Sequence, residues 1–144
     1  MQVFIIGSAL ETAKILDKKR LHKQIIECKQ ILKALNGETK AWKNHPCTLQ
    51  YKGHETWLNY YLQILQCVLD GDIDSIKIKK LNCLSEKYKP CFHTELFFNQ
   101  MKRRLYTKNK EYYKQYSYLG ESNINWYYVN GVWKYYLNGK EIKK

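Results

Sequence analysis

Asp17-Lys-Lys-Arg-Leu-His-Lys-Gln-Ile-Ile-Glu-Cys-Lys-Gln-Ile-Leu-Lys-Ala-Leu35 is the stretch that decides how this chain is read. Leu21, Ile25, Cys28, Leu32 and Leu35 recur at steps of four and three, which aligns them on one face of a helix. Asn36-Gly37 supplies the stop, because glycine accepts the left-handed backbone that closes helices. Arg20, Lys23, Glu27 and Ala34 fall on a second stripe, more than a right angle from the apolar one. Glu27 is the only acid between Asp17 and Glu38, set among Lys18, Lys19, Arg20, Lys23, Lys29 and Lys33. Such a residue has two readings. As a surface group it pairs with Lys23, worth roughly a few tenths of a kcal/mol. As a lone carboxylate on a basic face it is the first pointer to function.

The charge of the whole chain bears on its partner rather than on Glu27. Twenty-five basic residues stand against 13 acids, a formal net charge of +12 in 144 residues. That excess implies a polyanionic partner, most often nucleic acid. Aromatic residues make up 15% of the chain, which separates it from disordered basic tails and indicates a folded domain with a core. Rings between basic groups also suit a surface that stacks on bases. The apolar start Val3-Phe4-Ile5-Ile6 is too short for a secretory signal and has no basic segment before it. No run approaches membrane-spanning length. Five cysteines, an odd number without a paired framework, fit reduced thiols in an intracellular protein.

Outward from the long helix, Met1 to Ile6 reads as a short extended segment that tucks against the core. Ser8 caps a helix through Leu16, with Glu11 as its capping-box partner. Residues 36 to 53 read as a loop anchored by Trp42 and His45-Pro46. A second helix is expected from about His54 to Leu69, with Trp57, Leu58, Tyr61, Leu62, Leu65, Val68 and Leu69 at helical spacing and Gly71 as its stop. Residues 72 to 90 carry a weaker pattern, a short helix or a wandering segment ended by Pro90. A third major helix is expected over about Phe92 to Tyr106, with Leu96, Phe97, Met101 and Leu105 inward and Lys102, Arg103 and Arg104 outward. Asn109 caps a last short helix through Tyr116. After that the period changes: Asn130-Gly131 and Asn138-Gly139, each flanked by β-formers, predict a three-stranded meander. The expected fold is mainly α, a single domain of three major helices. Residues 1–120 form the helical part, and the β-meander at 121–144 packs on it rather than standing alone.

Other chemistry finds less support. His45-Pro-Cys47 and Cys91-Phe-His93 hold four potential zinc ligands, but without the usual two-residue spacer. No cysteine lies in a nucleophile context, and the seven glycines form no phosphate-cradling loop. The basic residues of the long helix and of Lys102 to Lys110 can track a phosphate backbone.

Arg20-Leu-His-Lys-Gln-Ile-Ile-Glu27, followed by Gln30-Ile-Leu32, resembles the helix of pyrimidine-dimer DNA glycosylases of the phage endonuclease V type. It resembles more closely their uncharacterised bacterial relatives. Gly53-His54 with Trp57, Tyr60 and Tyr61 is similar to the family's Gly-His and aromatic second helix. Phe92-His93, Asn99-Gln100 and Glu111-Tyr-Tyr-Lys-Gln-Tyr116 are similar to its third helix and aromatic end. The likeness is firm over residues 9 to 70, gapped after 90 and absent from the meander.

The resemblance implies a glycosylase with abasic-site (AP) lyase activity on damaged or modified duplex DNA, pyrimidine dimers among the candidate lesions. In that family the α-amino group attacks the sugar C1′, expels the base, and the imine is opened by β-elimination. A helical glutamate supports the chemistry, and Glu27 falls at its position. An α-amine, with an ordinary pKa of roughly 8, keeps a nucleophilic unprotonated fraction near neutrality that a lysine lacks. Gln2 is too large for removal of the preceding methionine, so Met1 offers the amine. Two arginines that flank the family's glutamate are replaced here by Ile26 and Gln30. The catalytic candidates are thus Met1 and Glu27. The DNA-binding candidates are Arg20, Lys23, His54, Lys102, Arg103 and Tyr116, with Trp42 and Tyr60 as further aromatic contacts. The expected protein is an intracellular monomer on double-stranded DNA, with no membrane, metal or cofactor. The alternatives are a non-catalytic nucleic-acid-binding protein on the same scaffold, or a protein-interaction module using the Tyr/Trp-rich meander.

Overall fold

The computed structural model describes residues 1–143. Ser8 caps helix α1 (Ala9–Ile15), its hydroxyl accepting from the Glu11 backbone N–H. The long basic helix, α2, runs Lys18–Leu35. Helix α4 (Glu55–Leu69) packs along it, and α5 (Ile76–Lys87) packs on the other flank of α4. Helix α6 (Glu95–Lys108) continues through turns into a 3-10 helix at Lys114–Leu119. Strands β1 (Ile124–Val129), β2 (Val132–Leu137) and β3 (Lys140–Ile142) form the antiparallel meander, in that order.

Each Asn-Gly pair does what its chemistry predicts. Asn130 and Gly131 take φ of 53° and 77°, and Asn138 and Gly139 take 51° and 79°, the left-handed pair that a tight hairpin requires. Register follows, with Val129 opposite Val132 and Leu137 opposite Lys140. The sheet does not stand apart. Tyr127 and Val129 are buried in the same core as the helices, and β1 packs on α6 and on the short helix α3 (Pro46–Gln50).

Four expectations need correction. Among the described residues, four helices rather than three have twelve or more residues: α2, α4, α5 and α6. The 36–53 loop contains α3, because Pro46 suits a first helical position and the His45 Nδ1 accepts from the Cys47 N–H as its cap. The third major helix begins at Glu95, so its inward ridge is Phe97, Met101 and Leu105, and Leu96 lies 73% exposed. Asn109 caps only a turn, accepting from the Tyr112 N–H, and the 3-10 helix starts five residues later.

The core contains a histidine. His93 sits among Trp57, Phe92 and Phe97, with its Nε2 3.0 Å from the Tyr51 hydroxyl. Burial, aided by His54 and Lys89, pushes its pKa from 6.5 down to about 3. Between those values the unfolded chain binds a proton that the native chain refuses, so stability falls as pH drops below 6.5. The loss should reach about 2 kcal/mol by about pH 5. Urea midpoints against pH should show it, and His93→Gln should flatten the curve. Parallel curves for the two proteins would assign the acid sensitivity elsewhere.

Candidate active site

The first six residues lie extended in the core, with Val3, Phe4, Ile5 and Ile6 all buried, yet they belong to no sheet. A buried backbone without a ladder must find other partners for its polar groups. Here side chains provide them. The Phe4 N–H donates to Gln24 Oε1 at 3.0 Å, the Ile6 N–H to Thr12 Oγ1 at 3.0 Å, and the Val3 N–H to the Cys47 sulfur. The Gln2 N–H reaches Glu27 Oε2 at 3.5 Å. The carbonyls are held as firmly. Met1 O accepts from the Tyr127 hydroxyl at 2.7 Å and Gln2 O from Gln24 Nε2 at 2.7 Å. The Tyr61 hydroxyl lies 2.9 Å from Phe4 O and 3.2 Å from Gln24 Oε1.

This clamp brings the Met1 amino group beside Glu27. Glu27 is only 9% exposed, so the surface-pair reading does not hold; it lines a cavity together with Met1, Gln2 and Phe4 and with Arg104, Lys108 and Asn125 from the C-terminal half of the chain. Burial raises its pKa, against the opposing pull of the N-terminal amino group, the Gln2 N–H, Lys23 and Lys108. Gln24 Nε2, 3.1 Å from Glu27 Oε2, fixes the carboxylate to the same amide that holds the N-terminal segment.

Two cavities flank the pair and share Met1, Lys23 and Glu27. The smaller, about 60 Å³, is closed by Arg20, Gln24, Arg104, Lys108 and Asn125. Four cations converge there. Desolvation, together with Arg104, Arg20 and Lys23, depresses the Lys108 pKa, and Glu27 opposes that shift. The Nε groups of Arg20 and Arg104 are buried without a hydrogen-bond partner among the described residues. Unpaired buried donors beside clustered positive charge constitute a ready site for a small anion. The larger cavity, about 420 Å³, opens between Ile26, Gln30 and Trp42. Trp42 is 43% exposed and has a φ of 64°, a left-handed backbone that costs a non-glycine residue about 1–2 kcal/mol. Its ring meets His45 edge-on, and His45 in turn meets Tyr127. Burial and the nearby amino group lower the His45 pKa.

Met1, Arg20, Lys23 and Glu27 therefore meet in one place, with Trp42 at its rim. The other residues expected on DNA do not join them. His54 begins α4 in a separate groove, edge-on to Phe92. Lys102 Nζ sits 5.6 Å over the ring of Tyr116, which is buried and cannot stack on a base. Arg103 Nε donates to Leu119 O at 3.0 Å, bracing the 3-10 helix. Tyr60 stacks on Tyr88 at 6.1 Å. The candidate zinc pairs are separately engaged, Cys47 by Val3 and His93 by Tyr51. Among the described residues no three His, Cys, Asp or Glu side chains gather as a metal site requires. No described helix is long and apolar enough to cross a membrane.

Gln24, Arg104, Lys108, Asn125 and Tyr127 complete the site, and none was singled out as a site residue from the sequence. A signal existed for two of them. Arg104 and Lys108 follow Gln100 at steps of four, beside the buried Phe97-Met101-Leu105 ridge, so they flank the core rather than point away from it.

Residues 1–69 match the family model described as pyrimidine dimer DNA glycosylase. The matched segment contains Met1, Arg20, Lys23, Gln24, Glu27 and Trp42, and ends before Arg104, Lys108 and Asn125. No curated protein and no solved structure matches the chain.

Proposed function

We propose that this protein is a DNA glycosylase with abasic-site lyase activity, acting on lesions in duplex DNA through the α-amino group of Met1. The observation that carries the reading is the placement of that amine beside a buried carboxylate, in a cavity that Arg20, Lys23, Arg104 and Lys108 also line.

The chemistry follows from the geometry. The uncharged amine attacks C1′ of the damaged nucleotide. A C1′–N bond to the protein forms, and the glycosidic bond breaks, its electron pair leaving with the base. Opening of the sugar ring gives a protonated imine between Met1 and C1′. The Glu27 carboxylate stabilises that cation and removes a proton from C2′. Those electrons shift toward the imine, the C3′–O bond breaks, and the strand is cut as the 3′ phosphate departs with its electron pair. Water then releases the sugar fragment from the amine. Arg20, Lys23, Arg104 and Lys108 neutralise the phosphates that flank the reacting sugar, the two arginines half-buried and the two lysines exposed to the incoming strand. The family match over residues 1–69 supports the glycosylase reading. The covalent lyase step and pyrimidine dimers as the lesion are our extension of it.

Borohydride trapping tests the reading directly. Native protein mixed with abasic duplex DNA and reductant should form a covalent adduct. Selective acetylation of the α-amine should abolish it. An adduct that survives acetylation would move the nucleophile to a lysine, and no adduct at all would leave a binding protein without this chemistry.

A further inference from the structure

Seven buried side-chain nitrogens and oxygens have no hydrogen-bond partner among the described residues, and five of them belong to residues that line the 60 Å³ cavity beside Glu27. They are Nε2 and Oε1 of Gln2, Nε of Arg20, Nε of Arg104 and Oδ1 of Asn125. Orphaned buried polar atoms are uncommon singly, so five around one cavity point to a shared partner. Gln2 is the extreme case. It is 4% exposed, its backbone N–H and carbonyl are taken by Glu27 and Gln24, and both ends of its amide are left over. The five atoms also say what the partner must offer. The three nitrogens donate and the two oxygens accept. An anion answers the donors alone and sets negative charge against both acceptors. Water answers the whole set, and the 60 Å³ cavity has room for about four waters, at roughly 10–15 Å³ each. Exchanging the ends of the Gln2 amide alters nothing, because neither end has a protein partner.

We propose that this cavity keeps ordered water against Met1 and Glu27, and that the Gln2 amide is the positioning group for the water that hydrolyses the covalent imine. The inference rests on the lyase reading. Cutting the strand consumes no water, whereas releasing the sugar fragment does. Gln2 Oε1 accepts one hydrogen of the water and Glu27 accepts the other, which turns an oxygen lone pair toward C1′. The water oxygen bonds to C1′, and the C=N electron pair moves to nitrogen. Glu27, having given up the C2′ proton to solvent, takes a proton from that water and passes it to the nitrogen. The C1′–N bond then breaks, with its electron pair going to nitrogen. The aldehyde C=O forms, and the hydroxyl proton ends on the freed Met1 amine. Gln2 thus acts on the lifetime of the covalent complex, not on the making of the cut.

Gln2→Met tests this, since it keeps the length of the side chain, removes both orphaned atoms and breaks no bond to the described residues. Excess protein is mixed with end-labelled abasic duplex, chased with unlabelled duplex and sampled with borohydride at intervals. One gel then times both the cut and the decay of the trapped adduct. In Gln2→Met the adduct should persist about tenfold longer or more, while cutting slows by less than about threefold. Gln2→Asn, which keeps an amide, should recover part of the decay rate. Asn125→Ala removes the other orphaned acceptor and should give the same split, and it carries the test if a melting curve shows Gln2→Met unfolded. An unchanged adduct lifetime in the folded variant would overturn the proposal and leave the lyase reading intact. Equal slowing of cutting and decay would overturn it too, because Gln2 would then be placing the amine rather than the water. If the native protein forms no adduct, the lyase reading fails and the proposal goes with it.

Discussion

Glu27→Gln is expected to slow cleavage of abasic duplex DNA by about a hundredfold or more while leaving the protein at least as stable as before. The two effects have one cause. Burial makes the ionised carboxylate costly, which is why its pKa is raised. A raised carboxylate pKa means that above the unfolded value the native state resists an ionisation that the unfolded chain accepts, so at neutral pH the charge detracts from stability. A neutral amide of the same shape removes that cost and still accepts from the Gln2 N–H. It cannot take the C2′ proton or balance a cationic imine. For the same reason cleavage by the native protein should fall as pH drops through the raised pKa of Glu27, where the base becomes protonated. Single-turnover cleavage beside a thermal melt measures both. A folded variant that cuts at the native rate would remove Glu27 from the chemistry. A marked loss of stability would mean that its role is structural. A destabilising charge kept at the position proposed for the general base fits an exchange of stability for activity.

Gln24→Ala should be the most damaging single change in the N-terminal clamp. The truncation leaves the Phe4 N–H and the Gln2 carbonyl without their partners in the core and takes the tether from Glu27. Each orphaned buried group costs about 1–3 kcal/mol, so the total should be about 3–5 kcal/mol. In a chain of this length that lowers the melting temperature by about 10 °C or more. Activity should fall further than stability explains, because the amine is no longer held against its base, and adduct yield at a temperature where the variant is folded separates the two losses. A shift of only a degree or two would show that water or a rearranged Gln2 takes over the bonds.

What the residues disclosed in advance, and what they did not, divides along local and tertiary lines. Helix α2, helix α4 and both hairpins were legible because periodicity and Asn-Gly chemistry act within a few residues. Helix α3 is not legible from its residues, because histidine is not among the usual capping residues, although Pro46 marks its start. Leu96 was placed inward because an apolar residue beside Phe97 reads as core, whereas the helix phase turns it toward solvent. Glu27 reads from the sequence as a carboxylate on an exposed basic face, and the structure buries it. Its burial comes from residues 1–4 on one side and from Arg104, Lys108 and Asn125 on the other, none of which neighbours it in sequence. The basic residues after Phe97 read as a run, but the choice among Lys102, Arg103 and Arg104 depends on which face α6 turns toward the cavity beside Glu27. That is a tertiary fact.

The bond between the Tyr127 hydroxyl and the Met1 carbonyl spans 126 residues of chain. Contacts so remote in sequence form late in folding, since the intervening loop must close before they return any energy. Helices α2 and α4 can find each other early, with the hydrophobic stripe already in place, while the cavity around Glu27 waits for the meander to dock. A chain arrested at that stage holds most of its helix but not the arrangement that joins amine, carboxylate and cations. On the proposed reading, reactivity matures after compactness, and partly folded molecules bring positive charge to DNA without the assembled site.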